Sequence, residues 1–273
     1  MSEAIETGPL IMGASGQVGR MLYHLWEVRA LDFGAKPPVW QVRREASGLK
    51  LGLHWDILRE VPPNIRPSAV ICLAGGPQVN TNPEIAKRAA EIAQGAPLLY
   101  ASSQAVYERQ DGELTEQDVC APTSAYGVQK LAAERALAPY HNATCLRVAN
   151  VVGADSLMRA CKKGPVVLDQ FPDGTSPLRM MIGVQTLGQA FIDLIARGTI
   201  EDPILNMAQP GITAMADLLL ATGVNWKWQP APATAIPSIA LDLSALLRHI
   251  DLPPARPDQL IKEAKRAGWS MDK

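Results

Sequence analysis

Gly13-Ala-Ser-Gly16-Gln-Val-Gly19, set directly behind the apolar run Pro9-Leu-Ile-Met12, constrains this chain more than any other stretch. Apolar residues resume after it at helical spacing, at Val18, Leu22 and Leu25. Strand, glycine turn and helix in that order suit a dinucleotide pyrophosphate. Glycine permits a tight turn and close backbone approach, and the helix N-terminus offers unpaired N–H groups and a positive dipole end. The spacing is G-x-x-G-x-x-G rather than G-x-G-x-x-G. Gly13, Ser15, Gly16, Gln17 and Gly19 are the residues expected to meet such a ligand.

The pattern then repeats. Pro38-Val-Trp-Gln-Val42 reads as a second strand closing on Arg43-Arg44. An acid near this point bonds a ribose 2′-OH, whereas an arginine accommodates a 2′-phosphate. Arg43 and Arg44 therefore favour NADP(H), with NAD(H) as the alternative. Leu51 to Ile57 reads as a third strand with Asp56 at its end, and Asp56 and Ile57 join the expected cofactor contacts. Ala69-Val-Ile-Cys-Leu-Ala-Gly-Gly76 is an apolar run ending in small residues. A buried parallel strand reads this way when a ligand passes over its carboxyl end, which brings in Leu73, Ala74 and Gly75. Asn82-Pro83 is expected to cap a helix running to about Gln94. Pro97 to Ser103 and Thr144 to Gly153 read as the fifth and sixth strands.

Strands alternating with helices imply an α/β fold, a Rossmann-like doubly wound parallel sheet. After Gly153 the rhythm breaks into loops, a strand-like Arg179–Val184, a helix from Gln185 to Arg197, a strand at Pro203–Met207 and further short helices. We therefore expect a dinucleotide-binding core over 8–153, completed by about 182–207. A small substrate lobe drawn from 154–273 would be interleaved with it.

Composition excludes several classes. Of the 273 residues, 47% are hydrophobic and 19% charged, which is globular material with enough apolar side chains for a core. A net charge of -1 gives no electrostatic case for nucleic acid or an anionic membrane. No apolar run is long enough to span a bilayer, and Met1–Thr7 is polar and acidic, unlike an export signal. A cytoplasmic location is the expectation. The four cysteines form no C-x-x-C pair and read as reduced thiols, with Cys72 and Cys145 in the core. The four histidines show no metal spacing, and no metal is expected.

Thr123 to Arg135 is rich in strong helix formers, so Tyr126 and Lys130 lie four apart on one helix face. An ammonium near a phenol favours the phenolate and lowers its pKa from about 10 toward the range useful for proton transfer. Ser102 and Ser103 close the fifth strand, where alternating β/α sheets place their chemistry.

Gly13-x-x-Gly16-x-x-Gly19, Val70-Ile-Cys-Leu-Ala-Gly75, Ser102-Ser103-x-x-Val106-Tyr107, Tyr126-x-x-x-Lys130 and Leu146-Arg147-x-x-Asn150-Val-x-Gly153 occur in the order seen in one family. The chain resembles the extended short-chain dehydrogenase/reductases, the NAD(P)-dependent nucleotide-sugar epimerase/dehydratase group, over about residues 9 to 207. The resemblance implies a catalytic triad of Ser103, Tyr126 and Lys130. Tyr126 would be the acid/base, Ser103 would hold the substrate oxygen, and Tyr126 and Lys130 would also meet the cofactor, Lys130 at the nicotinamide ribose. It places Ser103, Gln104, Asn150 and Arg179 on the substrate, Arg179 at the nucleotide-sugar phosphates. The sequence departs from the family pattern in a short loop after Gly76, in Gln104-Ala105 where the 4,6-dehydratases carry Asp-Glu, and in Val184-Gln-Thr where Val-Asp-Asp is usual. Dehydration is thereby removed. The favoured expectation is an NADPH-dependent reductase of a keto group on a sugar-nucleotide-like small molecule. The alternatives are an NAD-dependent sugar epimerase and a non-catalytic dinucleotide-binding sensor or assembly factor. A homodimer is compatible with all three.

Overall fold

A computed structural model describes residues 3–43, 49, 52–76, 81–107 and 112–271. A short strand β1 (Ile5–Thr7) precedes β2 (Leu10–Met12), which turns into α1 (Gln17–Glu27). There follow β3 (Val39–Val42), β4 (Gly52–His54), β5 (Ile65–Pro67), β6 (Val70–Cys72), α2 (Asn82–Ala93) and β7 (Leu98–Ser103). One 3-10 turn, Gln104–Val106, leads on to β8 (Gly112–Leu114), α3 (Ala125–Leu137), β9 (Ala143–Val148) and β10 (Asn150–Val152). The remainder comprises α4 (Ser156–Cys161), β11 (Val166–Gln170), β12 (Leu178–Gly183), α5 (Val184–Ala196), β13 (Ile204–Met207), β14 (Ile212–Ala214), α6 (Met215–Thr222), β15 (Trp226–Pro230), β16 (Ser238–Leu241), α7 (Ser244–Leu247) and α8 (Pro257–Arg266).

Seven strands form one parallel sheet in the order β13-β9-β7-β6-β2-β3-β4. Its central strands β2 and β6 are apolar at every position, because side chains alternate between two faces and helices cover both. Leu10, Met12, Val70, Cys72, Leu98, Tyr100 and Cys145 pack on one face with Ile85 and Ala89 of α2 and Ala133 and Leu137 of α3. Ile11, Ile71, Leu99 and Leu146 pack on the other with Leu22 and Leu25 of α1 and Leu187 and Phe191 of α5. Strand order reverses between β2 and β6, which opens a crevice at their carboxyl ends, the place where such sheets bind ligands.

A second sheet, ordered β10-β12-β16-β8, has β14 antiparallel to β12, and β11 pairs with β15. The expected sixth strand is therefore two. β9 ends on the main sheet, where the Ala149 N–H donates to the Met207 carbonyl (2.9 Å), and β10 departs to pair with β12, Asn150 opposite Met181. Asn82 is not the expected cap of α2. It is the first helical residue, fully buried, and its Oδ1 instead accepts the Gly76 N–H (2.9 Å). No helix among the described residues is long and apolar enough to cross a membrane.

Candidate active site

The glycine turn sits at the strand-order reversal. Gly13 has φ +82°, and a Cβ there would stand 2.6 Å from the Ala74 nitrogen at the end of β6. A Cβ on Gly19 would meet the Ala14 oxygen at 2.6 Å, so the first turn of α1 packs directly on the loop. Gly16 opens α1, and no side chain caps that end. A cleft of about 310 Å³ lies above, lined by Gly13, Ser15, Gly16, Arg43, Asp56, Ile57, Leu73, Ala74 and Gly75, all expected from sequence. Four expected cofactor residues are not in its lining. Gly19 is inside the packing, and the Gln17 amide donates to the Gly153 carbonyl (2.9 Å). Tyr126 and Lys130 belong to the neighbouring cluster. Arg44 lies outside the described residues.

Sequence reasoning missed Gln41, whose signal was a lone amide inside the apolar β3. Gln41 is 1% exposed. Its Oε1 accepts the Gly13 N–H (2.8 Å) and its Nε2 donates to the Trp55 carbonyl (2.5 Å), so it ties the glycine turn to the segment carrying Asp56 and Ile57. Asp56 itself accepts the Leu58 N–H (3.1 Å) and holds its own turn.

Beside the cleft, β7 ends on Ser103, whose Oγ accepts the Ala105 N–H (3.2 Å) and so starts the 3-10 turn. Ser124 caps α3 by accepting the Gly127 N–H (3.0 Å). A Cβ on Gly127 would lie far inside contact with the Ala105 carbonyl oxygen and 2.8 Å from Pro122 Cβ. Only glycine lets α3 come this near the turn after Ser103. This approach brings the Tyr126 phenol close enough to Ser103 for the serine hydroxyl to favour the phenolate.

The expected tuning of Tyr126 by Lys130 is not what the structure contains. Tyr126 keeps 38% of its surface exposed, yet its surroundings strip enough water from the phenol to raise its pKa, which the nearby Ser103 hydroxyl only partly opposes. Lys130 is turned inward. Its Nζ donates to the Ala101 carbonyl (2.6 Å) and to the Tyr100 hydroxyl (3.5 Å), lies 4.7 Å from the Tyr100 ring centre and 5.8 Å from that of Tyr126. Burial lowers the Lys130 pKa to about 8, against the raising effect of Cys72, Cys145 and Glu134. The ammonium satisfies itself on β7 instead of the phenol, because a carbonyl oxygen is the nearest strong acceptor.

The Gln104 amide donates to Asn150 Oδ1 (3.3 Å), a neutral pair just beyond Ser103. Arg179 stands otherwise than expected. Its guanidinium donates to the carbonyls of Leu178 (2.7 Å), Ile236 (2.9 Å) and Pro237 (3.2 Å). That set of backbone acceptors competes with any phosphate. No cluster of metal-ligating side chains occurs among the described residues.

A doubly wound parallel sheet with a glycine turn at its reversal point is the architecture of a dinucleotide-binding protein. The turn fits such a ligand, since Gly13, Ser15 and Gly16 line an open cleft at the uncapped start of α1, where unpaired N–H groups suit a pyrophosphate. The chain belongs to the NAD dependent epimerase/dehydratase family, whose profile matches residues 9–181. A comparison with curated proteins finds no match. Among solved structures, MoeE5 in complex with UDP-glucose and NAD is 24% identical, covering 96% of this chain and 98% of its own, with a TM-score of 0.69. UDP-glucose 4-epimerase from Brucella ovis in complex with NAD is 19% identical over 97% and 99% of the two chains, with a TM-score of 0.73. UDP-glucuronic acid 4-epimerase from Bacillus cereus, with UDP-glucuronic acid and NAD, is 17% identical over 96% and 99%, with a TM-score of 0.70. These likenesses establish the fold.

Proposed function

We propose that this protein remakes a hydroxyl-bearing carbon of a nucleotide-linked sugar by withdrawing and returning a hydride, an epimerase-type reaction with NAD(H). The observation that carries this reading is the Ser103–Tyr126 pair at the carboxyl end of the sheet, beside the glycine cleft. Family membership and solved neighbours in complex with UDP-sugars and NAD support it.

A bound nicotinamide dinucleotide supplies the hydride acceptor and donor. Gly13, Ser15 and Gly16 would hold its pyrophosphate, and Asp56 and Ile57 would border its adenosine end. As the phenolate, Tyr126 takes the proton from the sugar hydroxyl, becoming a neutral phenol, and gives it back after the sugar turns. Ser103 donates a hydrogen bond to the same sugar oxygen, a preorganised donor of the kind that contributes strongly in transition states. Lys130 would swing from Ala101 to the cofactor ribose. Gln104 and Asn150 form the neutral wall of the substrate side.

The test is to incubate the protein with UDP-sugars and follow both sugar configuration and nicotinamide absorbance. Interconversion of epimers without net cofactor change supports the reading. Stoichiometric NADPH oxidation on a keto-sugar nucleotide would replace it with the reductase expected from sequence. Arg43 is the observation favouring that second reading, since it is exposed and lines the cleft. Arginine-to-phosphate hydrogen bonds contribute roughly 1.5–3 kcal/mol. If Arg43 reads a 2′-phosphate, Arg43→Asp weakens NADP(H) binding in calorimetric titration and spares NAD(H). If both affinities are unchanged, the side chain is a solvated surface residue.

Gln41→Leu is expected to weaken dinucleotide binding about tenfold. It strands the Gly13 N–H and the Trp55 carbonyl, each costing about 1–3 kcal/mol if left unpaired, and about 1.4 kcal/mol of that appears as a tenfold change in affinity. Titration followed by tryptophan fluorescence reads this directly, and an unchanged Kd would show that the brace is dispensable.

A further inference from the structure

The face that α3 turns to the sheet mixes apolar Ala133 and Leu137 with three buried polar side chains, Gln129, Lys130 and Glu134. An apolar face is held by non-directional contact, whereas hydrogen-bonded charges fix an orientation. Glu134 accepts from Arg147 of β9 through Nη2 (2.9 Å) and Nε (3.3 Å), and it accepts the hydroxyl of Ser102 on β7. The two charged side chains are 3% and 4% exposed, and no other ion pair among the described residues has both partners buried. Burial opposes the charge on Arg147, and Glu134 with Tyr107 more than offsets it, so its pKa stays above the ordinary value. Arg147 also donates to the Glu116 carbonyl (3.1 Å) and lies 4.7 Å from the centre of the Tyr107 ring, whose hydroxyl donates to Asn206 of β13 (2.6 Å). One carboxylate thus joins α3 to β7 and β9, and it grips β7 at the residue next to Ser103.

We propose that Glu134, with Arg147 and Ser102, is the positioning device of the catalytic helix. It sets the depth and rotation of α3, and so where Tyr126 and Lys130 stand against Ser103. This rests on the function proposed above. Tyr126, Lys130 and Glu134 follow one another at four-residue steps along a single stripe, so any roll of the helix moves all three together. Lys130 is faced by Cys72 of β6, Tyr100 of β7, Cys145 of β9, and Tyr126 and Glu134 of its own helix. Burial raises both thiols, Cys72 to about 11, so they stay neutral at neutral pH. Glu134 is the carboxylate in the group, and its charge raises the Lys130 pKa. Removing that charge makes Lys130 lose its proton at lower pH.

The experiment compares parent, Glu134→Gln, Glu134→Asp and Ser102→Ala in turnover, melting temperature and NAD affinity across pH, with Tyr126→Phe alongside. Glu134→Gln is expected to lose kcat about 10²-fold, the cost of a small misplacement, with little change in KM. Its NAD affinity should begin to fall at lower pH than the parent's, and Glu134→Asp should restore the parental pH response. Ser102→Ala keeps the ion pair and should lose kcat with a near-parental melting temperature. A Glu134→Gln protein with lowered melting temperature but parental kcat and pH response would overturn the proposal, leaving the pair a structural tie. If that variant does not fold, Ser102→Ala decides: a parental kcat overturns the proposal and a lowered one supports it. Parental turnover in Tyr126→Phe would instead sink the proposed function itself.

Discussion

Replacing Tyr126 with phenylalanine is expected to lower turnover about 10²–10⁴-fold, the range for losing a general acid–base group, while dinucleotide affinity stays near the parental value. The phenol is needed when the proton moves, and the glycine cleft that would hold the dinucleotide does not include Tyr126 in its lining. The pH dependence carries a sign. Burial raises the Tyr126 pKa and the nearby Ser103 hydroxyl only partly opposes it, so the free protein holds the phenol protonated at neutral pH. Turnover that begins with proton removal from the sugar should therefore rise from neutral toward alkaline pH, and the residual rate of the phenylalanine variant should lack that rise. Steady-state rates with epimerising UDP-sugars, paired with NAD titration, measure both. A phenylalanine variant at parental rate would show that Tyr126 is not the acid/base and would sink the proposed mechanism.

Gly127→Ala is the second large effect. The added methyl has no room between the Ala105 carbonyl and Pro122, so either the 3-10 turn or the start of α3 must retreat. Overpacking of this kind costs about 1–3 kcal/mol, offset in part by about 1 kcal/mol of helix propensity. The catalytic cost is the larger, because retreat separates Tyr126 from Ser103, and misplacement by about 1 Å can cost about 10²-fold in rate. We expect a modest fall in melting temperature with a roughly 10²-fold loss of kcat. A variant with full activity would show that the close approach is not what aligns the pair.

Much of this was legible in the sequence because the main sheet obeys local rules. β2, β3, β6 and β7 are short apolar runs bounded by turn residues, and the glycine turn followed by Leu22 and Leu25 could hardly be anything but strand, loop and helix. Most of the cleft lining followed from position alone, at the carboxyl ends of those strands. What escaped was set by tertiary partners. β8, β11 and β16 carry no strong alternation, and each exists because another strand lies beside it. Gln41 looked like an ordinary strand residue until its amide met Gly13 and Trp55. The inward turn of Lys130 depends on an acceptor at Ala101, and the capture of Arg179 depends on carbonyls near residue 237. Four-residue spacing placed Tyr126 and Lys130 on one face correctly, but it could not say which neighbour the ammonium would choose.

The pairing of β13 with β9 also bears on how the chain is made. Residues through Val148 supply six of the seven strands, but the outer edge beyond β9 is covered only by Ile204–Met207. At about 5–20 residues per second, a growing chain leaves the ribosome for several seconds with a row of unpaired N–H and C=O groups along β9. The intervening segment is meanwhile laying down β10 and β12 in a different sheet. A chain halted just after Gly153 is expected to keep that edge open permanently. Its fate should then be strand-to-strand association with other nascent chains, not a smaller stable domain, which makes the interval before β13 arrives the window in which a chaperone has most to do.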